Sequence, residues 1–414
     1  MKKIALISDI HFGELARTRE FAVPGYPVKG ETTGEVSLTD SLVEKLRSEG
    51  VEYLFISGDL TSRATPQEFR YCIEKIKEIV SRAEIPENNI VWAIGNHDID
   101  WKITEIFEKY TEELKTNKDL LQFVEDCYRL SAIASTEIKT KALPNPSTAG
   151  DLPLSGIYET DEFIVFILNS ALYSTHNQTI KHGKLSTKQL DWFREHAKKL
   201  KDDSRWKIVL MHHHPHTYPF PTITHDITAI EDGPEFMEIA GDVGIHLILH
   251  GHRHHPKAIT QDETGWSHPI TLICAGSLAV NSDERKDIPN TFHVIELTDV
   301  VGTCKLHSYE YSASEGWKQI QARKEAPLDY EMYFGKNFNK AQIESEARRL
   351  WDSHAIGKPI KVSELPEALK FCSHEKIEDV LEKTKPSKAS GTTFNWKTGR
   401  IHLYREDEEN ETEL

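Results

Sequence analysis

The chain has 414 residues, 38% of them hydrophobic and 28% charged, which is the balance of a globular protein long enough for one large domain and a smaller one. Its formal net charge of -16 opposes non-specific attraction to phosphate polyanions, so long nucleic acid is a disfavoured substrate. The two N-terminal lysines precede an apolar run that stops at Ser8-Asp9, too short for a secretory signal, and no stretch approaches the ~18 apolar residues of a membrane span. A cytoplasmic protein with no membrane partner is expected.

In chain order, Ile4 to Ser8 reads as a buried strand ending in Asp9-Ile10-His11. The loop Phe12 to Val36 follows, and its Arg17 and Arg19 are candidate phosphate binders, with a solvated surface position as the commoner alternative. A helix capped by Thr39 or Asp40 runs to Glu49 and is stopped by Gly50. The strand Leu54 to Ile56 then exits through Ser57-Gly58-Asp59. Pro66 opens a second helix with Phe69, Cys72, Ile73, Ile76, Ile79 and Val80 at helical spacing. After Pro86 a third strand ends in Gly95-Asn96-His97-Asp98. Three strand-helix units in succession indicate a parallel sheet.

Two helices, Thr104 to Thr116 and Lys118 to Ala134, read as an insertion beside this edge, followed by a Pro/Ser/Gly-rich loop, Ala142 to Gly156. Gly156 to Thr160 and Phe163 to Leu168 form a strand pair, and a helix follows with Ser186 and Gln189 as a capping box. The strand Lys207 to Met211 ends in His212-His213-His214-Pro215. A short helix, Pro234 to Ala240, precedes Ile245 to Leu249, which ends in His250-Gly251-His252-Arg253-His254. Pro269 to Ala275, Thr291 to Leu297 and Lys305 to Tyr311 read as antiparallel strands completing a second sheet. Beyond residue 325 come the helical segments Phe338 to Ser353 and Glu364 to Lys383, a loop over Pro386 to Thr393, and a disordered acidic tail, Glu406 to Leu414. The expected architecture is α/β: two packed mixed sheets flanked by helices over 1–324, and a small, mostly helical appendage over 325–414. Cys72, Cys127, Cys274, Cys304 and Cys372 are scattered without CxxC pairing and are assigned no chemistry.

Five apolar strands thus end in Asp, Asn or His, the oxygen and nitrogen donors of a mixed dinuclear metal site. Open α/β sheets bind ligands at that edge. Asp9 and His11, two apart on an extended backbone, project to one face, and His252 and His254 repeat the spacing. Asp59 can bridge two cations, with Asn96 and His212 completing the second. Two such metals about 3.5 to 4 Å apart would bind a phosphoryl group and lower the pKa of a bound water.

Asp9-x-His11, Gly58-Asp59, Gly95-Asn96-His97-Asp98, His212 before His-His-Pro, and Gly251-His252-x-His254 resemble the calcineurin-like metallophosphoesterases in all five motifs and their order, over about residues 1 to 310. Gly183 to Phe193, GKLSTKQLDWF, is similar to the stretch before the fourth motif in the class III cyclic-nucleotide phosphodiesterase branch. The resemblance implies a four-layer sandwich. It also implies one metal on Asp9, His11, Asp59 and His254, and another on Asp59, Asn96, His212 and His252. His97 would serve as general acid or phosphate binder, oriented by Asp98. His213 remains an alternative as a supporting or substrate-facing residue. The metals implied are iron, manganese or zinc, with manganese or iron expected.

The expected function is hydrolysis of a phosphodiester or phosphomonoester of a small, nucleotide-like substrate by attack of metal-bound hydroxide. A DNA or RNA nuclease of the same superfamily is the alternative, disfavoured by the acidity of the chain. An inactive binding scaffold would have lost ligands, whereas every motif position here keeps a metal-competent side chain.

Overall fold

Strand β1 (Lys2–Ile7) opens the chain, and its burial from Ile4 onward on both faces explains why it reads as one continuous apolar run. The computed structural model describes residues 1–25, 28, 36–101, 155–171, 174, 183–216, 228–281, 288–321, 328–354, 357–386, 389–395 and 400–405. The helices expected over 104–116 and 118–134, the loop over 142–154 and the tail over 406–414 lie outside these residues.

Helix α1 (Leu38–Glu49) begins earlier than expected: Ser37 is its cap, with Ser37 Oγ accepting from Asp40 N at 3.0 Å. Glu20 adds two acceptor bonds, from Leu38 N and Thr39 N. Thr39 and Asp40 are therefore first-turn residues, because the side-chain oxygen that reaches the free amides belongs to Ser37. Gly50 closes the helix at φ 66°, a left-handed turn that favours glycine. Strand β2 (Tyr53–Ser57), helix α2 (Pro66–Arg82) and strand β3 (Ile90–Ala93) follow, and β1, β2 and β3 pair in parallel. Thr65 and Glu68 cap α2 reciprocally, with Pro66 at its start.

The second sheet starts with β4 (Gly156–Glu159) and β5 (Phe163–Ile167). Helix α3 (Thr187–Lys199) keeps Ser186 as cap, but Gln189 does not return to it. Gln189 Oε1 accepts from Asn169 N at 2.7 Å and Ser155 Oγ at 2.8 Å, and Gln189 Nε2 donates to Asn169 O at 3.0 Å. The buried loop after β5 takes the amide that the capping box required. Strand β6 (Trp206–Leu210), helix α4 (Gly233–Asp242) and strands β7 (Leu247–His250), β8 (Lys257–Gln261) and β9 (Ile270–Cys274) complete the sheet, in the order β4-β5-β6-β7-β9-β8.

Here the strand assignment made from sequence needs correction. Strand β9 runs parallel to β7, while β10 (Thr291–Leu297), β11 (Cys304–Ser312), β12 (Gly316–Gln319) and β13 (Glu331–Phe334) return to the first sheet, giving seven strands with the path β12-β11-β10-β1-β2-β3 and β13 on β11. The cause lies in β10, which pairs antiparallel with β1 and alternates Phe292 and Val294 toward the α1–α2 side with Ile295 and Leu297 toward the other sheet.

Three apolar layers follow. Leu42, Leu46, Phe69 and Ile76 cover one face of the first sheet, against Ala5, Ile7, Leu54 and Ile56. Ile4, Leu6, Phe55 and Val91 meet Val165, Ile208, Leu247 and Ile273 between the sheets. Leu190, Phe193, Phe236 and Ala240 cover Ile164, Phe166, Val209 and Ile248. The result is helices, sheet, sheet, helices: two mixed sheets flanked by helices, as expected.

The C-terminal segments have a core of their own. Helix α5 (Lys340–Ser353), strand β14 (Ile360–Lys361), helices α6 (Glu367–Lys370) and α7 (His374–Thr384), and strands β15 (Ala389–Asn395) and β16 (Arg400–Arg405) gather Ile343, Trp351, Leu369, Leu381, Ile401 and Leu403. The loop expected over 386–393 is corrected, since β15 pairs with β16. Polar ASGTTFN carries no alternation of its own; Ile401 and Leu403 of β16 fix the pairing by burying themselves.

Candidate metal centre

Three of the five motifs leave their strands in sharp left-handed turns. Asp9, His11, Asp59, His252 and His254 have φ of 50°, 47°, 52°, 69° and 54°, and the only other described non-glycine residues at positive φ are Ala64 and Glu84. The expectation of an extended Asp9-His11 segment is thus corrected. Both residues sit in the left-handed region, which costs about 1 kcal/mol or more each and persists only where surrounding contacts impose it. Here they do: Asp9 N donates to Gly58 O at 3.0 Å, His11 N to Asp59 O at 3.0 Å and His252 N to Asp9 Oδ2 at 3.1 Å. Side chains from separate loops are thereby turned into one pocket.

Glycines let these loops approach. A Cβ on Gly95 would lie 2.2 Å from Asp59 Oδ1, and one on Gly251 would lie 1.9 Å from Ser8 Oγ and 2.5 Å from Asp9 Oδ2.

One cluster joins Asp9, His11, Asp59 and His254, whose donor atoms lie within 4.8 Å of one another. His254 Nε2 is 3.1 Å from Asp9 Oδ1, and His11 Nε2 is 3.3 Å from Asp59 Oδ2. On the other side of Asp59, His212 Nε2 is 3.2 Å from Asp59 Oδ2 and 3.0 Å from Asn96 Oδ1, and His252 Nδ1 is 2.9 Å from Asn96 Oδ1. His212 Nδ1–H donates to Ser57 O at 2.8 Å, which leaves Nε2 to face the pocket. The seven side chains expected as ligands, Asp9, His11, Asp59, Asn96, His212, His252 and His254, are thus brought together around Asp59.

The donor set fits cations. Asp9 and Asp59 are 0% and 1% exposed, and burial of two carboxylates so close is costly without positive charge between them. Asp9 Oδ1 and both ring nitrogens of His11 are buried with no hydrogen bond of good geometry. The carboxylates pull positive charge inward: burial opposes charge on His11, yet Asp59 and then Asp9 outweigh it and push its pKa up to about 10. His212 is raised likewise to about 9 against its burial, chiefly by Asp59. Burial holds His252 well below its usual value, reinforced by His213 and His212.

His97 lies beside this cluster, 4.5 Å from the His11 ring between centroids. Its backbone N–H donates to Asp59 Oδ1 at 2.8 Å and its Nδ1–H to Ser62 O at 2.9 Å. Burial lowers its pKa to about 4. The expectation that Asp98 orients it is corrected. Asp98 accepts from Leu60 N at 3.1 Å, Gly95 N at 2.9 Å, and Thr61 N and Oγ1 at 2.9 and 3.1 Å. It ties two motif loops together, and the ring is held by a backbone carbonyl. Burial and the Asp59 charge raise Asp98 to about 6.

Other sequence candidates are placed elsewhere. Arg17 stacks over Tyr311 at 4.9 Å and donates to Asn290 Oδ1 at 3.3 Å, where it braces a loop. Arg19 lies in a short 3-10 turn, Arg19–Phe21. Cys72, Cys274, Cys304 and Cys372 are buried free thiols, and Cys127 lies outside the described residues. Sequence reasoning missed the carbonyls of Ser57 and Ser62, which aim His212 and His97; a carbonyl leaves no residue-type signal.

A family model described as calcineurin-like phosphoesterase matches residues 2–256, more than half of the chain and all five motifs. No curated protein matches the chain significantly in sequence. Among solved structures it is similar to a dimetal phosphatase from Danio rerio, at 12% identity and TM-score 0.43 over 74% of this chain and 95% of that one. It is also similar to a purple acid phosphatase from yellow lupin, at 10% identity and TM-score 0.45 over 75% and 51% of the two chains. A phosphopantetheinyl hydrolase from Mycobacterium tuberculosis is 13% identical with TM-score 0.38 over 70% and 93%. With the family model spanning β1 through His254, the chain belongs to the calcineurin-like phosphoesterases and is a metal-dependent phosphoester hydrolase.

Proposed function

We propose that the chain hydrolyses a phosphodiester or phosphomonoester of a small, nucleotide-like molecule at a dinuclear metal centre. The observation that carries this is the position of Asp59 Oδ2, 3.3 Å from His11 Nε2 and 3.2 Å from His212 Nε2, so that one carboxylate stands between two ligand groups. Asp9, His11, Asp59 and His254 would hold one ion, and Asp59, Asn96, His212 and His252 the other. When bound, such a pair supplies Lewis acidity toward a phosphoryl group and activates water. Manganese or iron suits the carboxylates and imidazoles of the first group.

The protein's own part is to place and exclude. Asp9 and Asp59 fix negative charge in a buried pocket, and with metals bound Asn96 and the deprotonated imidazoles would add neutral donors that leave net positive charge for a phosphate. With Nδ1–H bound by the Ser62 carbonyl, His97 keeps Nε2 for the substrate. Burial favours its neutral form, so the negative charge of a bound phosphoester is what draws a proton to Nε2 for the leaving group. The GKLSTKQLDWF stretch supports a reading near the cyclic-nucleotide phosphodiesterase branch.

The same reading divides the chain into a catalytic unit and a C-terminal module. Expected at 324/325 from the sequence, the joint is proposed to fall after Phe334, a reading supported by the pairing of β13 with β11. Among the described residues no helix is long and apolar enough to cross a membrane. A cytoplasmic site of action is proposed on the sequence grounds given above.

The test is metal analysis combined with a substrate panel: a cyclic dinucleotide, a nucleotide monoester mimic and single-stranded DNA, each with manganese. Two metals per chain and turnover of the small esters are expected. No more than one metal after reconstitution, or selective cleavage of DNA, would overturn the proposal.

A further inference from the structure

The Gly183–Phe193 stretch, singled out in the sequence but given no role in the chemistry, builds a cradle around a histidine beside the metal centre. His213 is 1% exposed, its ring 4.3 Å from the His252 ring and 5.0 Å from that of His212. Gly183 lies against it so closely that a Cβ would fall 2.4 Å from His213 Cγ. His213 Nδ1 is 3.0 Å from Ser170 Oγ, and Ser170 Oγ also accepts His213 N–H at 3.0 Å. Ser170 is itself fixed: Lys184 N donates to Ser170 O at 2.9 Å, and Gln189 grips Asn169 through both ends of its amide. One donor nitrogen each from His212, His213 and His252 lie within 4.8 Å of one another.

We infer that His213 supplies a third imidazole to the metal held by His212 and His252; this rests on the dinuclear reading above. A hydroxyl has two acceptor sites, so Ser170 Oγ takes both the His213 backbone N–H and Nδ1–H, and the ring lone pair is then on Nε2. Ligating histidines are characteristically oriented this way, by a partner on the other ring nitrogen. The two groups then differ in kind. The first has two carboxylates and two imidazoles, whereas the second has three imidazoles, the Asn96 amide and a share of Asp59. Imidazole-rich sites favour zinc or iron(II) over manganese, so the second group is the more zinc-selective.

Full-length protein is stripped of metal, and zinc, manganese and cobalt(II) binding are measured by chelator competition, with cobalt visible absorption reporting the ligand set. Wild type takes up two metals. His213→Gln keeps the ion on Asp9, His11, Asp59 and His254, weakens the other for zinc by about a hundredfold or more, and changes the cobalt spectrum, with manganese less affected. Ser170→Ala, which leaves the imidazole but frees its ring, weakens the same ion about tenfold. Wild-type zinc affinity at both ions with an unchanged cobalt spectrum in His213→Gln would overturn the assignment while leaving the dinuclear centre intact. If His213→Gln does not melt cooperatively, Ser170→Ala decides, and unchanged zinc affinity there overturns it. Uptake of fewer than two metals by wild type removes the dinuclear reading and this inference together.

Discussion

Gly95→Ala tests whether the close approach of two motif loops makes the site. Gly95 has φ -107°, a conformation open to any residue, so the added methyl brings no backbone strain and acts only by its volume. On this backbone the methyl carbon would lie 2.2 Å from both Asp59 N and Asp59 Oδ1, and 2.8 Å from Asp59 Cγ. Ordinary contacts of such atoms begin near about 3.5 Å, so the two loops must part by roughly 1 Å. They resist: Asp98 Oδ2 accepts from both Gly95 N and Leu60 N, and His97 N donates to Asp59 Oδ1 at 2.8 Å. Overpacking of this kind costs about 1–3 kcal/mol of stability, which a chain of this size should survive. Misplacing a central group by about 1 Å costs on the order of a hundredfold in turnover. The assay is manganese-dependent hydrolysis of bis(4-nitrophenyl) phosphate, with metal content and thermal melting in parallel. Gly391→Ala is the control, since among the described residues its Cβ meets Glu382 Oε2 alone, at an ordinary 3.5 Å. Turnover of Gly95→Ala within about threefold of wild type, with full metal content, would refute the claim that this contact sets the geometry.

Asp59→Asn should fold, retain one metal or none, and lose hydrolysis, because an amide offers one good oxygen and no charge where two ligand groups meet; two metals with near-full activity would dismiss the bridging role. His97→Ala should keep both metals yet lose about a hundredfold on esters with poor leaving groups and less on activated aryl esters. Equal losses on both ester types, or metal loss, would remove His97 from leaving-group chemistry. His293, buried in β10 with its pKa lowered to about 4, is neutral in the fold, and the unfolded chain, titrating near about 6.5, binds the proton first as pH falls. Its contribution is therefore intact above about pH 6.5 and declines by about 3 kcal/mol by pH 4. His293→Gln should flatten the loss of stability between pH 7 and 5 in denaturant titrations, and an unchanged slope would rule this out.

The strand ends that carry Asp9, His11, Asp59, Asn96, His212, His252 and His254 were legible in the sequence because both determinants are local. A strand buried on both faces must be an apolar run, and a residue meant for a ligand must follow where the run stops. The helices among the described residues were legible for the same reason, through caps and spacing, apart from Ser37, where a neighbouring carboxylate and hydroxyl chose the first turn. What the tertiary structure decided is what depends on groups distant in sequence. The return of β10 to β13 beside β1 rests on which face each residue could bury. The left-handed turns at Asp9 and His11 are held by the Gly58 and Asp59 carbonyls, and that at His252 by the Asp9 carboxylate, all from other loops. Asp98 looks like a partner of its neighbour His97 until the amides of Leu60 and Thr61, on another motif, claim it. Gln189 likewise leaves its local cap for Asn169, because a buried amide is better satisfied by three partners in the core than by one at a helix end. Residue type announces which atoms can coordinate or donate; only the fold determines which nitrogen of each ring is left to do so.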